Sequence, residues 1–359
     1  MITISLCLIV KNEEDVIERC LKSAKDIADE IIIVDTGSND STKEICARYT
    51  NKIFDFKWNN NFSTARNYSF SKATKEYILW LDADDVILDE DMENFKKLKY
   101  SLDKKVDVVM MKYNVGFDNK GNTTLSYYRE RLLKRSLEFQ WKEPVHEYLD
   151  ISGNIINSDI SITHKKQHVD ASDRNLLIYK KILYRGKVLS PRGTFYYARE
   201  LYYNKKYDSS IKYLKKFLDS KKGWVEDNIN ACFILSKCYA YKKDRKNMLK
   251  ALLKSFEYDN PRAEICCQLG YFYLEGREYK KAIFWYKLAT QIKKPENSWG
   301  FISHDYFGYL PNIQLAVCYD KMGNIEEAVK YNNKAGEFKH NDDAVNYNKS
   351  YFKKILDKS

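Results

Sequence analysis

The chain has 359 residues, with 61 lysines and arginines against 50 acidic residues and a formal net charge of +11. That length supports a sizeable core and two domains. No apolar run approaches the roughly 18 residues of a membrane span. Lysine is spread along the chain as on a solvated basic surface, which argues against a nucleic-acid partner.

The eight cysteines show no C-x-x-C spacing and lie mostly in apolar runs. Buried free thiols in a reducing compartment are expected. The opening MITISLCLIVKNEED lacks a basic start and turns charged at Lys11. It does not read as a secretory signal, and a cytoplasmic location is expected.

In chain order, Ile2 to Val10 reads as a strand. Asp15 to Ala28 follows with apolar residues at helical spacing: Val16, Ile17, Cys20, Leu21 and Ala24. Glu30 to Asp35 is a second buried strand. The segment from Thr36 to Thr42 combines a turn glycine, Gly37, with helix-capping residues. A helix to about Tyr49 and a short strand from Lys52 to Trp58 come next. This alternation predicts a mostly parallel, right-handed wound sheet. Asp35 either accepts hydrogen bonds from a base or ribose, or caps the next helix. Arg66, in the polar loop Asn59 to Asn67, either faces a phosphate or base or pairs with Asp82 or Asp84.

The stretch YILWLDADD, Tyr77 to Asp85, organises the rest. Its apolar part reads as a strand buried on both faces. Its carboxylates, Asp82, Asp84 and Asp85, fall at the C-terminal end, where open α/β sheets bind ligands. On an extended backbone Asp82 and Asp84 share a side. Two converging carboxylates call for a hard cation such as Mg²⁺ or Mn²⁺. The plainer alternative is a turn in which Asp85 starts the next helix.

Val86 to Tyr100 is expected to be mostly helical and Asp107 to Val115 a strand, with a hairpin turn at 118–122. Tyr127 to Arg135 carries Arg129, Arg131 and Arg135, either beside an acceptor or on a solvated strand edge. Phe139 to Leu149 packs Glu143, His146 and Glu147 close together near Trp141. An alternating strand, Ile155 to His164, ends in histidine.

Four motifs, SLCLIVKNEE, EIIIVDTGSNDST, FSTARN and YILWLDADD, occur in order over roughly residues 1 to 170. Together they resemble the inverting GT-A nucleotide-sugar glycosyltransferases of family two. The resemblance implies an α/β GT-A (Rossmann-like) domain. It sets Val10, Asn12 and Glu13 against the nucleotide, Asp35 on the base (usually uracil), and Gly37 and Ser38 at close backbone approach. Arg66 would face the nucleotide. Asp82-Ala83-Asp84 would be the D-x-D motif, with Asp82 towards ribose and metal and Asp84 a metal ligand. His164 would complete the metal shell, with His168 as alternative, and Lys165 and Lys166 would lie in a lid. Glu147 would be the base that deprotonates the acceptor, Glu143 the runner-up, and His146 would orient either. Trp141, Asp85 and Arg131 would contact acceptor or sugar. No P-loop and no G-x-G-x-x-G occurs, which disfavours a kinase or a dinucleotide enzyme.

From about Asp173 the strands disappear. After a linking helix, helix–turn–helix units recur: Ser236–Tyr239 and Gly270–Tyr273 stand 34 residues apart. The unit with Gly270, Tyr273, Ala282, Tyr286, Ala289 and Pro295, and the next with Ala316, Tyr319, Ala328 and Ala335, resemble tetratricopeptide repeats. A looser unit starts near Pro191, and Asn341 to Leu356 would cap the array. Expected domains are 1–172 for the transferase, 173–190 for the link and 191–359 for an all-α solenoid. Its concave face would bind an extended peptide or protein, or else serve a homodimer. The whole resembles bacterial flagellin-type and sublancin-type protein or peptide glycosyltransferases. The implied reaction is metal-dependent (Mn²⁺ or Mg²⁺), moving a hexose or N-acetylhexosamine from a UDP-sugar to a Ser/Thr hydroxyl or Cys thiol. Transfer to an envelope saccharide or lipid carrier, and an inactive transferase domain in a repeat scaffold, are the alternatives.

Overall fold

The computed structural model describes residues 1–165, 173–295 and 298–357. The chain divides into two compact units. The first spans Met1–Val188 and takes in Asn297–Ile302; the second spans Leu189–Glu296 and Ser303–Ser359.

The first unit begins β1 (Ile4–Val10), α1 (Ile17–Ala24), β2 (Glu30–Asp35), α2 (Thr42–Cys46), β3 (Ile53–Asp55), α3 (Phe62–Phe70) and β4 (Tyr77–Trp80). It continues with β5 (Asp85–Val86), α4 (Asp89–Ser101), β6 (Val108–Phe117), β7 (Thr123–Lys134), β8 (Trp141–Lys142), β9 (Tyr148–Leu149), β10 (Ile155–His164) and α5 (Arg174–Tyr184). Among the described residues the main sheet runs β3-β2-β1-β4-β7-β6-β10-β5. It is mixed and mostly parallel: β3, β2, β1 and β4 are parallel, β7 runs against both β4 and β6, and β10 is parallel to β6.

Strand alternation sorts the core onto two faces. Ile4, Leu6, Leu8 and Val10 of β1, with Tyr77 and Leu79 of β4, pack against Ile17, Cys20 and Leu21 of α1 and Phe95 of α4. Cys7, Ile78 and Trp80 face the other way, onto Phe70 and Trp141. Both faces being covered, β1, β2 and β4 carry few polar residues. The exceptions are tied down: Glu30 accepts from Ser5 Oγ at 2.5 Å and from Thr74, and pairs with Lys52.

Two expectations change here. Val86 belongs to a strand, not to a helix, which starts only at Asp89. The arginine-rich run at 127–135 is no solvated edge, because β7 lies inside the sheet between β4 and β6.

The second unit is helical, with hairpins α6 (Pro191–Tyr203)/α7 (Tyr207–Asp219), α8 (Val225–Tyr241)/α9 (Arg245–Lys254), α10 (Ala263–Glu275)/α11 (Tyr279–Gln291) and α12 (Tyr309–Lys321)/α13 (Ile325–Phe338). A final helix, α14 (Asp343–Leu356), follows. Small residues set the helix approach: Ala282, Ala289 and Ala335 are fully buried, and Gly270 lies against the ring of Tyr286. All eight cysteines are buried and unpaired. Among the described residues no helix is long and apolar enough to cross a membrane.

Candidate active site

Strand β4 stops at Trp80, and the chain turns at once. Asp85 N–H donates to the Asp82 carbonyl at 3.0 Å, and Asp82 N–H donates to Asp85 Oδ2 at 3.0 Å. Asp82 and Asp84, expected on one side of an extended backbone, therefore do not share a side. In the turn they diverge, Asp82 towards Arg66 and Asp84 towards His164.

The pairing of β5 with β10 then decides the cluster. Its register sets Asp85 opposite His164. His164 Nδ1 lies 3.3 Å from Asp84 Oδ1 and 3.4 Å from Asp85 Oδ1. Among the described residues Asp84, Asp85 and His164 are the group whose oxygen and nitrogen atoms, all within 4.8 Å of one another, could hold a metal ion. Asp85 stands in that group where Asp82 was expected.

The electrostatics fit a cation. Burial works to lower the His164 pKa, yet hydrogen bonds and charges from Asp84 and Asp85 push it up to about 10. The Glu13 carboxyl is raised to about 7, first by burial and then by the charges of Asp84 and Asp82. Carboxylates gathered with an imidazole are a donor set for Mg²⁺ or Mn²⁺.

Asp85 itself is fully buried and serves as a hub. It pairs with Arg131 at 3.0 Å, both side chains without exposure, and accepts from Tyr113 Oη at 2.8 Å. Tyr113 Oη is also 3.0 Å from His164 Nδ1, so one phenol fixes both groups. The Arg131 guanidinium lies 3.9 Å from the Trp80 ring and 4.3 Å from that of Tyr113. Trp141 is 3% exposed and packs edge-on against Trp80 at 4.8 Å. Asp85, Arg131 and Trp141, expected to touch acceptor or sugar, are thus corrected: each is buried within the protein and offers no face to a substrate.

Arg66 takes the salt-bridge alternative. Its Nη2 is 2.6 Å from Asp82 Oδ1 and its Nε 2.7 Å from Glu147 Oε1. Its guanidinium lies 4.9 Å from the rings of both Trp80 and Trp141. Burial pushes the Asp82 carboxyl up, but Arg66 and Arg131 outweigh it and hold it well below the usual carboxylate range. Through Arg66 the structure brings Glu147 beside the D-x-D turn.

The turn carrying Glu143, His146 and Glu147 is pinned to the start of α3. Phe62 N–H donates to the Pro144 carbonyl at 2.8 Å, and Ser63 Oγ donates to the Glu143 carbonyl. Asn67 clasps the Trp141 backbone, accepting from its N–H at 2.8 Å and donating to its carbonyl at 3.1 Å. Glu143 and His146 sit in left-handed backbone, with φ of 70° and 52°, a conformation L-residues adopt at a cost. The His146 ring stacks on Tyr179.

The loops after β1 and β2 knit together. Val10 pairs with Asp35 in register, and its carbonyl accepts from the Thr36 N–H at 2.9 Å. Asn12, at φ 53°, accepts from Asn39 N–H, while Ser38 Oγ receives the Asn12 N–H at 3.0 Å. Glu13 N–H donates to Thr42 Oγ1 at 2.7 Å. Asp35 accepts from the Ser38 N–H and hydroxyl, and Gly37 at φ 106° permits that tight loop. Ala83 is buried in the D-x-D turn. Lys165 N–H donates to the Asp84 carbonyl at 2.9 Å, and Lys165 O accepts from Arg19. Lys166 and His168 lie outside the described residues. Tyr113 and Asn67 were missed in the sequence. Tyr113 has no local signal, since its role comes from a neighbouring strand, whereas Asn67 sits inside the quoted FSTARN motif.

Residues 5–156 match the Glycosyl transferase family 2 profile, and residues 263–295 and 312–337 match the tetratricopeptide repeat profile. The chain carries a family 2 glycosyltransferase domain followed by tetratricopeptide repeats. It is similar to the SPbeta prophage-derived glycosyltransferase SunS of Bacillus subtilis, at 28% identity over 284 residues, 75% of this chain and 65% of the relative. A TPR repeat-containing protein of Synechococcus elongatus is 34% identical over 153 residues, 42% of this chain and 36% of the relative. The chain thus spans less than two thirds of the length of either. Among solved structures, that of S. aureus TarS 1–349 in complex with UDP-GlcNAc shares 16% identity, with a TM-score of 0.39, covering 72% of this chain and 93% of that one.

Proposed function

We propose that this protein is a divalent-metal-dependent, inverting glycosyltransferase that moves a hexose or N-acetylhexosamine from a UDP-sugar to a Ser/Thr hydroxyl or Cys thiol of a peptide or protein brought by the repeats. The observation that carries the reading is the meeting of Asp84 and His164 at the C-terminal end of β4, within a domain matching family 2. Asp84 and His164 would hold the Mn²⁺ or Mg²⁺, with Asp85 positioning the histidine through Tyr113. A cation there supplies Lewis-acid stabilisation of a departing diphosphate. Asn12, Glu13, Asp35, Gly37 and Ser38 line the nucleotide side, and Asp82 lies towards the ribose. Glu147 accepts the acceptor's proton as the new bond forms, while Arg66 orients its carboxylate.

The test is mass spectrometry of donor hydrolysis across a panel of nucleotide sugars with Mn²⁺, wild type against Asp84→Ala. Wild type should hydrolyse at least one UDP-sugar, and Asp84→Ala should lose about a hundredfold or more with an unchanged circular dichroism spectrum. Equal turnover by both proteins would remove Asp84 from the site. Labelling of envelope saccharides but not of peptides would favour the saccharide-transfer alternative.

A further inference from the structure

The four helix hairpins of the second unit turn in the same way. Helices α6, α8, α10 and α12 each end on a cap residue followed by one in left-handed backbone: Lys205, Lys243, Arg277 and Gly323, at φ 57°, 56°, 58° and 75°. Each of the four donates its N–H three residues back, to the carbonyls of Tyr202, Ala240, Leu274 and Asp320, at 2.9 Å in every case. Gly323 takes that conformation freely, whereas a lysine or arginine holds it at a cost. Backbone geometry favours glycine here, so the charge at the first three turns is not there for the turn's sake.

The first two turns are joined. Lys242 pairs with Asp208 at 2.5 Å, and Tyr241 stacks on Tyr207 with ring centroids 4.6 Å apart. Arg245 reaches on to the third hairpin, donating to the Phe272 carbonyl at 3.0 Å. Lys205, Lys206, Lys243 and Lys246 are exposed and, among the described residues, form no ion pair. Positive charge gathers around them. Residues 203–254 hold 14 basic and 5 acidic side chains, which is nine of the chain's net eleven positive charges. At the third turn Glu275 and Glu278 flank Arg277, so the excess belongs to the first two.

Two large rings stand among these lysines: Tyr203 is 59% and Tyr241 63% exposed. A tyrosine, apolar in its ring and polar at its tip, settles at the level of lipid headgroups. A lysine ammonium is a compact point charge that suits a diffuse field of phosphates, where arginine suits one fixed partner. Unpaired lysines beside exposed tyrosines match an anionic bilayer surface in both charge and depth.

We propose that the edge formed by the first two hairpin turns docks on an anionic lipid bilayer. Lys205, Lys206, Lys243 and Lys246 lie against the headgroup phosphates, with Tyr203 and Tyr241 at headgroup depth. Bilayer docking is independent of the transferase reading.

The experiment sediments the full chain with vesicles of phosphatidylcholine holding about 30% phosphatidylglycerol, and with vesicles of phosphatidylcholine alone. Wild type should bind the anionic vesicles at least about tenfold more tightly than the neutral ones, and about 0.5 M salt should release it. A variant combining Lys205→Gly, Lys243→Gly, Lys206→Gln and Lys246→Gln should bind about a hundredfold more weakly. Its melting temperature should be no lower than that of wild type, because glycine relieves the left-handed positions. Tyr203→Ser with Tyr241→Ser should weaken binding about tenfold and leave its salt dependence in place. Wild type that binds both kinds of vesicle equally, or neither, overturns bilayer docking. A lysine variant that binds as wild type does overturns it as well. Tighter binding of double-stranded DNA or polyglutamate than of anionic vesicles at the same salt would assign the edge to a soluble polyanion instead, and bilayer docking would fall.

Discussion

Asp84 and Asp85 are neighbours in sequence with opposite duties. Asp84 keeps a quarter of its side chain exposed, while Asp85 has none. Asp84→Ala should change stability by no more than about 1 kcal/mol. Asp85→Ala strands the Arg131 charge in the core and should cost about 3–5 kcal/mol, read from urea unfolding. Glu30 gives a pH dependence away from the site. Burial pushes its pKa up, but Lys52, Ser5 and Thr74 outweigh it and bring it down to about 2. A depressed carboxyl stabilises fully above its unfolded pKa, about 4.3, and that contribution is lost as pH falls through about 2. The urea midpoint should drop between about pH 5 and pH 2, and Glu30→Gln should flatten that part of the profile.

Helix pairs in the second unit depend on small residues where two backbones approach. A Cβ at Gly270 would lie 2.7 Å from Tyr286 Cε1, and Tyr286 is fully buried. Its ring has no room to retreat, so Gly270→Ala should cost about 1–3 kcal/mol by overpacking, seen as a lowered melting temperature. The same change at Gly323, where no atom lies within 4 Å but φ is 75°, would act through backbone strain alone. In the first unit the corresponding device is α3. Its Asn67 clasp and its N-terminal bonds to Glu143 and Pro144 place Glu147, so that helix, not β4, orients the proposed base.

Across the whole molecule, lysine is spread along the chain but net charge is not. Residues 1–188 hold 30 basic and 30 acidic side chains, whereas residues 189–359 hold 31 and 20. The entire formal excess lies with the repeats, so it does not mark a phosphate site on the sheet. Apolar periodicity and the four ordered motifs were enough to show a wound sheet ending in a carboxylate turn, followed by stacked helix pairs, because burial on two faces or on one stripe leaves a periodic trace in sequence. What each carboxylate touches left no such trace. Asp82 and Asp84 part company because β4 stops at Trp80; Asp85 disappears into the core because β7 lies inside the sheet and brings Arg131. Trp299 and Phe301 reach the catalytic unit only by a return of the chain from between two repeats. Sequence determined which elements form, since local pattern and burial fix them. Tertiary structure decided which side chains meet, since strand register and long-range pairing join residues that no spacing along the chain relates.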